Sequence, residues 1–227
     1  MTRKEITEPE TPPRPGARQR RKSADMRQRV LVAATHALAE DGYEGTSIKR
    51  VVVRAGVSQG ALQYHFPSKE ELMASVAARL LARAVRWAEQ AGRELAGEPD
   101  ALARLIRRSW AEQFRTPDYA ALLELMTTAR TDPALRARIA PELRGWYDEF
   151  EGLIGGALRP LAADGEALVT ITTISRCLMS GLLVQDMIAG REASVPDILD
   201  RWIAMVSDWL SARAAGGANS GKGMGES

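Results

Sequence analysis

Apolar positions recur at three- and four-residue spacing along most of the chain, and no alternating pattern runs longer than four residues, so an all-α protein is predicted. The first stripe, Val30, Leu31, Ala34, Ala37 and Leu38, predicts a helix over about 25–41. Gly42, Glu44 and Gly45 break it, with Tyr43 between them as an anchor into a small core. Ile48, Val51, Val52 and Ala55 form the face of a second helix opened by Thr46 or Ser47, since a hydroxyl at a helix start accepts an orphan backbone N–H. Gly56 supplies the freedom of a tight turn, Val57 fills the angle, and Ser58 caps a short helix from Gln59 to His65. Pro67 and Ser68 open a long fourth helix reaching about Ala96, with Ser68 and Glu71 spaced as a capping box. Beyond Gly97-Glu98-Pro99 the pattern predicts helices over 100–115, 118–130, 132–161 (Pro141 and Gly145 being candidate breaks), 166–189 and 195–214, with a turn at 163–165.

The domain plan that follows is a disordered basic tail at 1–24, a three-helix unit at 25–72, a larger helical domain at 73–214 and a flexible Gly-rich tail at 215–227. The content of 45% hydrophobic and 26% charged residues is ordinary for a globular protein. No uninterrupted apolar run approaches the roughly 20 residues of a membrane helix, and MTRKEITEPETPPRPG lacks the apolar segment of a secretory signal. The single cysteine, Cys177, excludes an intramolecular disulfide and fits a reducing compartment, where it reads as a small buried hydrophobe. These features predict a cytoplasmic protein without a membrane partner.

Charge separates the two halves. Residues 1–69 carry 13 Lys and Arg against 7 Asp and Glu, a balance of +6, while the remainder carries 18 against 22, a balance of −4, which together make the net +2. The basic half holds the two short helices and their tight turn, the layout of a helix-turn-helix whose second helix enters the major groove of DNA. A basic segment beside such a unit is the footprint of phosphate attraction. The predicted DNA-binding set is Thr46, Ser47, Lys49, Ser58, Gln59, Gly60, Ala61, Gln63, Tyr64, His65 and Lys69. Thr46, Ser47 and Lys49 open a helix whose free N–H groups suit a phosphate. Gln59 and Gln63 can bond adenine in bidentate fashion, Tyr64 and His65 suit phosphates or base edges, and Lys69 suits a phosphate. Leu62 and Phe66 are assigned to the core, and His36 to a structural or exposed role.

The stretch AGVSQGALQYHFPSKEEL resembles the signature of the tetracycline-repressor (TetR) family of bacterial transcriptional regulators, with Gly56, Val57, Ser58, Gly60, Phe66, Lys69, Glu71 and Leu72 in the family's places. The preceding VLVAATHALAEDGYEGTSIKRV resembles the family's first helix and loop, so the match covers about 29–80. Beyond it only the layout and LLELMTTARTDPALRARI are similar. Two positions depart: Gln63 stands where the family usually has Tyr, the ring coming one residue later at Tyr64, and Val52 stands where the family prefers a small residue. The resemblance implies a homodimer through the last two helices, a palindromic operator and a small-molecule effector.

The last two helices carry doubled apolar edges. Leu168, Ile171, Ser175, Leu178 and Leu182 on one, and Leu199, Trp202, Val206, Trp209 and Leu210 on the other, are the expected dimer contacts, with Ile174, Leu183, Met187 and Ile203 on second edges that burial in the chain's own core would also explain. Trp110, Phe114, Met126, Trp146, Tyr147, Phe150, Met179 and Gln185 are candidate lining for an apolar ligand pocket, although aromatic and Met residues at helical spacing also make plain core.

An enzyme is disfavoured. Two histidines, one cysteine, no metal-ligand cluster, no phosphate loop and no nucleophile elbow leave no catalytic, metal or cofactor site to propose. Glu124, Asp132, Glu142, Asp148, Glu149 and Glu151 read as caps and solvated faces. The expected function is a ligand-released repressor, with an activator or a ligand-independent architectural DNA-binding protein as alternatives.

Overall fold

The first helix, α1, starts ten residues before the hydrophobic pattern predicts and spans Pro15–Gly45 in the computed structural model, which describes residues 15–156, 159, 165–190 and 194–220. The expectation of disorder at 1–24 is therefore corrected for 15–24, and 1–14 lie outside the described residues. Arg, Gln, Lys and Ala are good helix formers, and Pro15 suits a first turn, where its missing N–H costs nothing. One tertiary contact reaches the extension, where the Ser23 hydroxyl lies 3.3 Å from His65 Nε2, and just beyond it the Arg27 guanidinium sits over the Phe66 ring at 5.4 Å.

The remaining helices are α2 (Ile48–Ala55), α3 (Gln59–His65), α4 (Lys69–Leu95), α5 (Ala101–Ser109), α6 (Pro117–Ala129), α7 (Pro133–Gly155), α8 (Gly165–Ala189) and α9 (Val195–Ser220), with no strand among the described residues. Side chains at the predicted starts do the capping. Ser47, Ser58, Ser68, Thr116 and Asp132 each accept a backbone N–H three residues on, at 3.0–3.2 Å, and each such cap stabilises by about 1 kcal/mol. Half of the expected capping box forms: Glu71 N–H reaches Ser68, but the Glu71 carboxylate takes Arg138 on α7 at 2.6 Å.

Three boundaries differ from the pattern. The helix expected over 100–115 changes pitch at Trp110–Phe114, one π-helical turn in which Arg115 N–H donates to the Trp110 carbonyl at 2.9 Å; such turns insert one residue and redirect side chains. α7 passes Pro141 unbroken, because residues 137 and 141 are exposed and water can meet the carbonyl that proline cannot bond. α9 runs to Ser220, so only 221–227 of the expected tail lies outside the described residues, as do 163–164 of the expected turn.

The boundary expected at 72–73 falls inside α4, which crosses it without a break. One apolar cluster begins with Val30, Leu38, Val51, Leu62 and Phe66, continues through Leu72, Met73 and Val76, and reaches Leu125, Leu135 and Trp146. The helix-turn-helix unit and the larger domain therefore share a core. A second cluster joins Ile106, Trp110 and Phe114 to Met179, Leu182, Leu199 and Ile203 of α8 and α9.

α1 ends in a kink at Gly42 (φ 70°, ψ −179°), a conformation open essentially to glycine alone. A Cβ there would also lie 3.2 Å from Glu124 Oε1. Gly42→Ala is expected to lower unfolding stability by about 1–3 kcal/mol in urea titrations followed by circular dichroism. Gly60→Ala is the control: an added Cβ meets nothing within 4 Å, so its midpoint should hold or rise slightly through the better helix propensity of alanine.

Candidate nucleic-acid interface and ligand cavity

α2 and α3 meet at Gly56, whose left-handed backbone (φ 62°, ψ 43°) lets its N–H cap the Val52 and Val53 carbonyls. Val51, Leu62 and Phe66 are buried and fix α3 against α1 and α4. This anchoring turns Ser58, Gln59, Gly60, Gln63 and Tyr64 outward, while Ala61 and His65 are half-buried. Tyr64 is 83% exposed, and its ring stands edge-on to His65 at 5.0 Å. Nothing in the protein occupies the space a Cβ on Gly60 would take, so the fold itself does not require glycine there. Val53, not anticipated from the sequence, adds an exposed apolar residue on α2.

The basic residues divide into two groups. Arg50 pairs with Asp41 at 3.2 Å and donates to the Gly45 carbonyl, and Arg54 pairs with Glu40, so both serve the α1–α2 contact. Ser47, Lys49, Arg20, Arg21 and Lys22 are exposed, and Lys49 has no carboxylate partner among the described residues. Two expected contacts need correction. Thr46 is 0% exposed and its hydroxyl donates to the Gly42 carbonyl at 2.7 Å, so it cannot reach a phosphate and Ser47 alone caps α2. Lys69 is half-buried, with Nζ donating to the Tyr43 carbonyl at 2.7 Å and lying 4.0 Å from the centre of the Tyr43 ring; its first role is to tie α4 to the loop after α1.

Tyr43 is held from a second side. Its N–H donates to Glu124 Oε1 of α6 at 2.7 Å. Glu124 therefore is not the solvated-face carboxylate expected from sequence; its partner is 81 residues away, a distance no local pattern reports. Burial, with Glu70 beside it, pushes the Tyr43 phenol up to about 12.

A cavity of about 250 Å³ lies between α4, α5, the π turn, α6, α7 and α8. Phe114, Met126, Trp146, Tyr147, Phe150 and Met179 are on its wall as expected. Trp110 and Gln185 are not: Trp110 packs into the α5–α8–α9 cluster, and Gln185 is exposed. The sequence reading missed Trp87, Tyr119, Ser180 and Arg176. Arg176 stands over the rings of Trp146 and Tyr147 at 5.0 and 4.8 Å. The Tyr119 hydroxyl and Ser180 Oγ are 2.5 Å apart, and burial pushes the Tyr119 phenol up. Among the described residues no three His, Cys, Asp or Glu side chains converge as a metal site would need.

On α8 and α9 the primary stripe faces inward. Leu168, Ile171, Ser175, Leu182, Leu199 and Val206 are buried in the chain's own core, and Trp202 Nε1 donates to Ser175 Oγ at 2.8 Å. As dimer contacts these six are corrected: their surface is already used. Leu178, Trp202 and Leu210 are half-buried and Trp209 is exposed. The outward apolar face consists of Val169, Ile174, Val184, Met187 and Ile188 on α8 with Met205 and Trp209 on α9. By length and composition α8 as a whole is long and apolar enough to cross a membrane, although Arg176 and Asp186 interrupt any continuous apolar run in it. Cys177 is exposed, not buried.

Residues 30–76 match the family model of bacterial regulatory proteins of the tetR family. Among curated proteins, the chain is 32% identical over 121 residues to the HTH-type transcriptional regulator CymR of Pseudomonas putida, covering 53% of this chain and 59% of that one. It is 31% identical over 117 residues to the HTH-type transcriptional repressor AcnR of Corynebacterium efficiens, covering 52% and 57%. The chain thus spans a little over half the length of these relatives, which are transcriptional regulators. A crystal structure of a TetR-family transcriptional regulator from Mesorhizobium loti superimposes with a TM-score of 0.65 at 22% identity, over 84% of this chain and 98% of that one. Its likeness extends the same fold, a helix-turn-helix unit followed by a larger helical domain, to the carboxy-terminal half. Residues 30–76 thus carry the regulatory-protein segment of the tetR family.

Proposed function

We propose that the chain is a cytoplasmic, homodimeric transcriptional repressor that binds a palindromic operator and is released by a small apolar ligand. The observation that carries this is the outward face of α3. Gln59, Gln63 and Tyr64 project from a seven-residue helix that Leu62 and Phe66 lock to the core, beside unpaired Lys49 and a preformed basic helix end at Arg20–Lys22. Glutamine amides read adenine edges and the cations meet phosphates. Gly60 leaves room for close approach of the sugar-phosphate backbone.

One such helix reads few base pairs, so useful specificity calls for two, about 34–36 Å apart on one face of DNA. The outward face of α8 and α9 supplies the second copy. An exposed apolar surface of that kind suits a contact with another chain, and two helices from each subunit would close a four-helix bundle. The repressor sign is supported by the Corynebacterium relative, which is a transcriptional repressor by name. An activator would use the same contacts. An architectural protein would have no use for the cavity.

Release follows from what the cavity touches. Tyr119, Leu122 and Met126 of α6 line it, and Glu124 of the same helix holds Tyr43 beside the Gly42 kink. Leu81, Ala84, Trp87 and Ala88 of α4 line it too, and α4 begins at Lys69, which holds the other side of Tyr43. A ligand that shifts α6 or α4 therefore moves the joint that sets the angle of α2 and α3. Its leverage equals its differential affinity for the two arrangements, and DNA weakens its binding by the same factor.

Selection of the full chain against a random duplex pool should yield a palindrome with half-sites about one turn apart; enrichment of no sequence, or of an unpaired site, would refute operator reading. On that operator, Gln63→Ala is expected to cost about 1–3 kcal/mol and relax base choice at one position per half-site, read by fluorescence anisotropy. Met205→Glu combined with Ile188→Glu should give monomers in sedimentation velocity and abolish operator binding, whereas a wild-type monomer would remove the dimer. Glu124→Ala should keep ligand affinity in calorimetry yet reduce ligand-driven release; unchanged release would show that α6 does not carry the signal.

A further inference from the structure

The cavity wall is mostly apolar, and the part of it around Trp146 and Arg176 has the chemistry of an anion site. Trp146 is 9% exposed, and its indole N–H has no hydrogen-bond partner. Buried donors are paired in the great majority of cases, and this one, closed to solvent at the edge of the cavity wall, becomes available to an acceptor when the ring shifts toward a ligand. Arg176 is on the same wall, with its guanidinium 5.0 Å from the Trp146 ring and 4.8 Å from the Tyr147 ring. No carboxylate pairs with it among the described residues. An arginine on the wall of an otherwise apolar cavity without a counter-charge is costly, unless a ligand brings the charge.

We propose that the cavity binds a monocarboxylate with an apolar, aryl-bearing body, its carboxylate held by Arg176 and Trp146 Nε1. The guanidinium fork matches a planar carboxylate, and the indole N–H donates to a lone pair that the fork leaves free on one of the two oxygens. Phe150 stacks on Trp146 at 5.2 Å, so the neighbouring wall is aromatic, and Phe114, Leu122 and Met126 complete an apolar lining for the body of the ligand. The volume of about 250 Å³ is at the small end of ligand sites, which begin near about 300 Å³, so one ring with a short chain fits better than a fused polycycle. A cationic ligand would face Arg176 across a poorly screening interior. A neutral hydrocarbon would leave the Trp146 donor unpaired, at the cost of its desolvation. A phosphate monoester would bring two charges to one arginine.

This inference rests on the reading of the cavity as the effector site, and its test separates the two. The whole chain is titrated calorimetrically at neutral pH with 4-phenylbutyrate, 4-phenylbutyramide and 4-phenylbutylamine, three probes of one shape and different charge. The acid is expected to bind at least about tenfold more tightly than the amide, as a charge-assisted hydrogen bond warrants, and the amine weakest of all. Arg176→Met should erase the preference for acid over amide while leaving amide affinity in place, which also shows that the variant is folded. Trp146→Phe should lower acid affinity by a smaller factor and keep the order of the probes. Equal or tighter binding of the amide, a preference that survives Arg176→Met, or binding of none of the three would overturn the proposal. Operator release is then measured with the same acid. Tight, Arg176-dependent binding without release would leave the carboxylate site standing and refute ligand-driven release.

Discussion

The backbone of one residue, Tyr43, holds the two functional halves in register. Its N–H is taken by Glu124 of α6 and its carbonyl by Lys69 at the head of α4. The Thr46 hydroxyl closes the same loop onto Gly42. These bonds are available only because Gly42 adopts a backbone conformation closed to other residues and leaves room for the Glu124 carboxylate. The kink, the bridging carboxylate and the buried hydroxyl are thus one device: it aims α2 and α3 from a helix that also walls the cavity.

That device shows how far the sequence could be read. The second and third helices, their caps and the glycine turn were legible because each depends on residues within one or two turns. Gly56, Ser47, Ser58 and Ser68 work through neighbours three or four positions away. The outward set on α3 followed from the same logic, since Leu62 and Phe66 had to face in. Thr46 was misassigned, and the bond of Lys69 to Tyr43 was missed, because a hydroxyl or an ammonium looks the same in a sequence whether its partner is a phosphate or a carbonyl of the chain. Glu124 was invisible as a bridge because its partner lies across the fold.

The carboxy-terminal half was legible in outline and ambiguous in detail for a different reason. α8 and α9 are apolar on more than one face, and periodicity marks apolar faces without saying which neighbour covers them. The stripe with the most regular spacing went to the chain's own core, and the less regular edge, with Ile174 and Met187, was left outside. The cavity wall was partly readable from its aromatic residues, but Arg176, a single charge in an apolar helix, reads as an interruption until Trp146 and Tyr147 are seen beneath it. The first turns of α1 were mistaken for a loose tail because their composition is polar, although their intrinsic helix preference is strong.

The shared core sets a limit on how such a protein can be taken apart. The apolar cluster that supports α3 is continuous with residues of α6 and α7, and α4 runs through the border without a loop. A reading head cut out at residue 72 would lose Met73, Val76, Leu125 and Leu135 from beneath it and expose their former contacts to water. Exchange of reading heads between relatives, by recombination or by design, therefore cannot be a matter of swapping modules on a string. The junction must be spliced in mid-helix, with the rotational phase of α4 preserved and the facing residues of α6 and α7 carried along with the head they support.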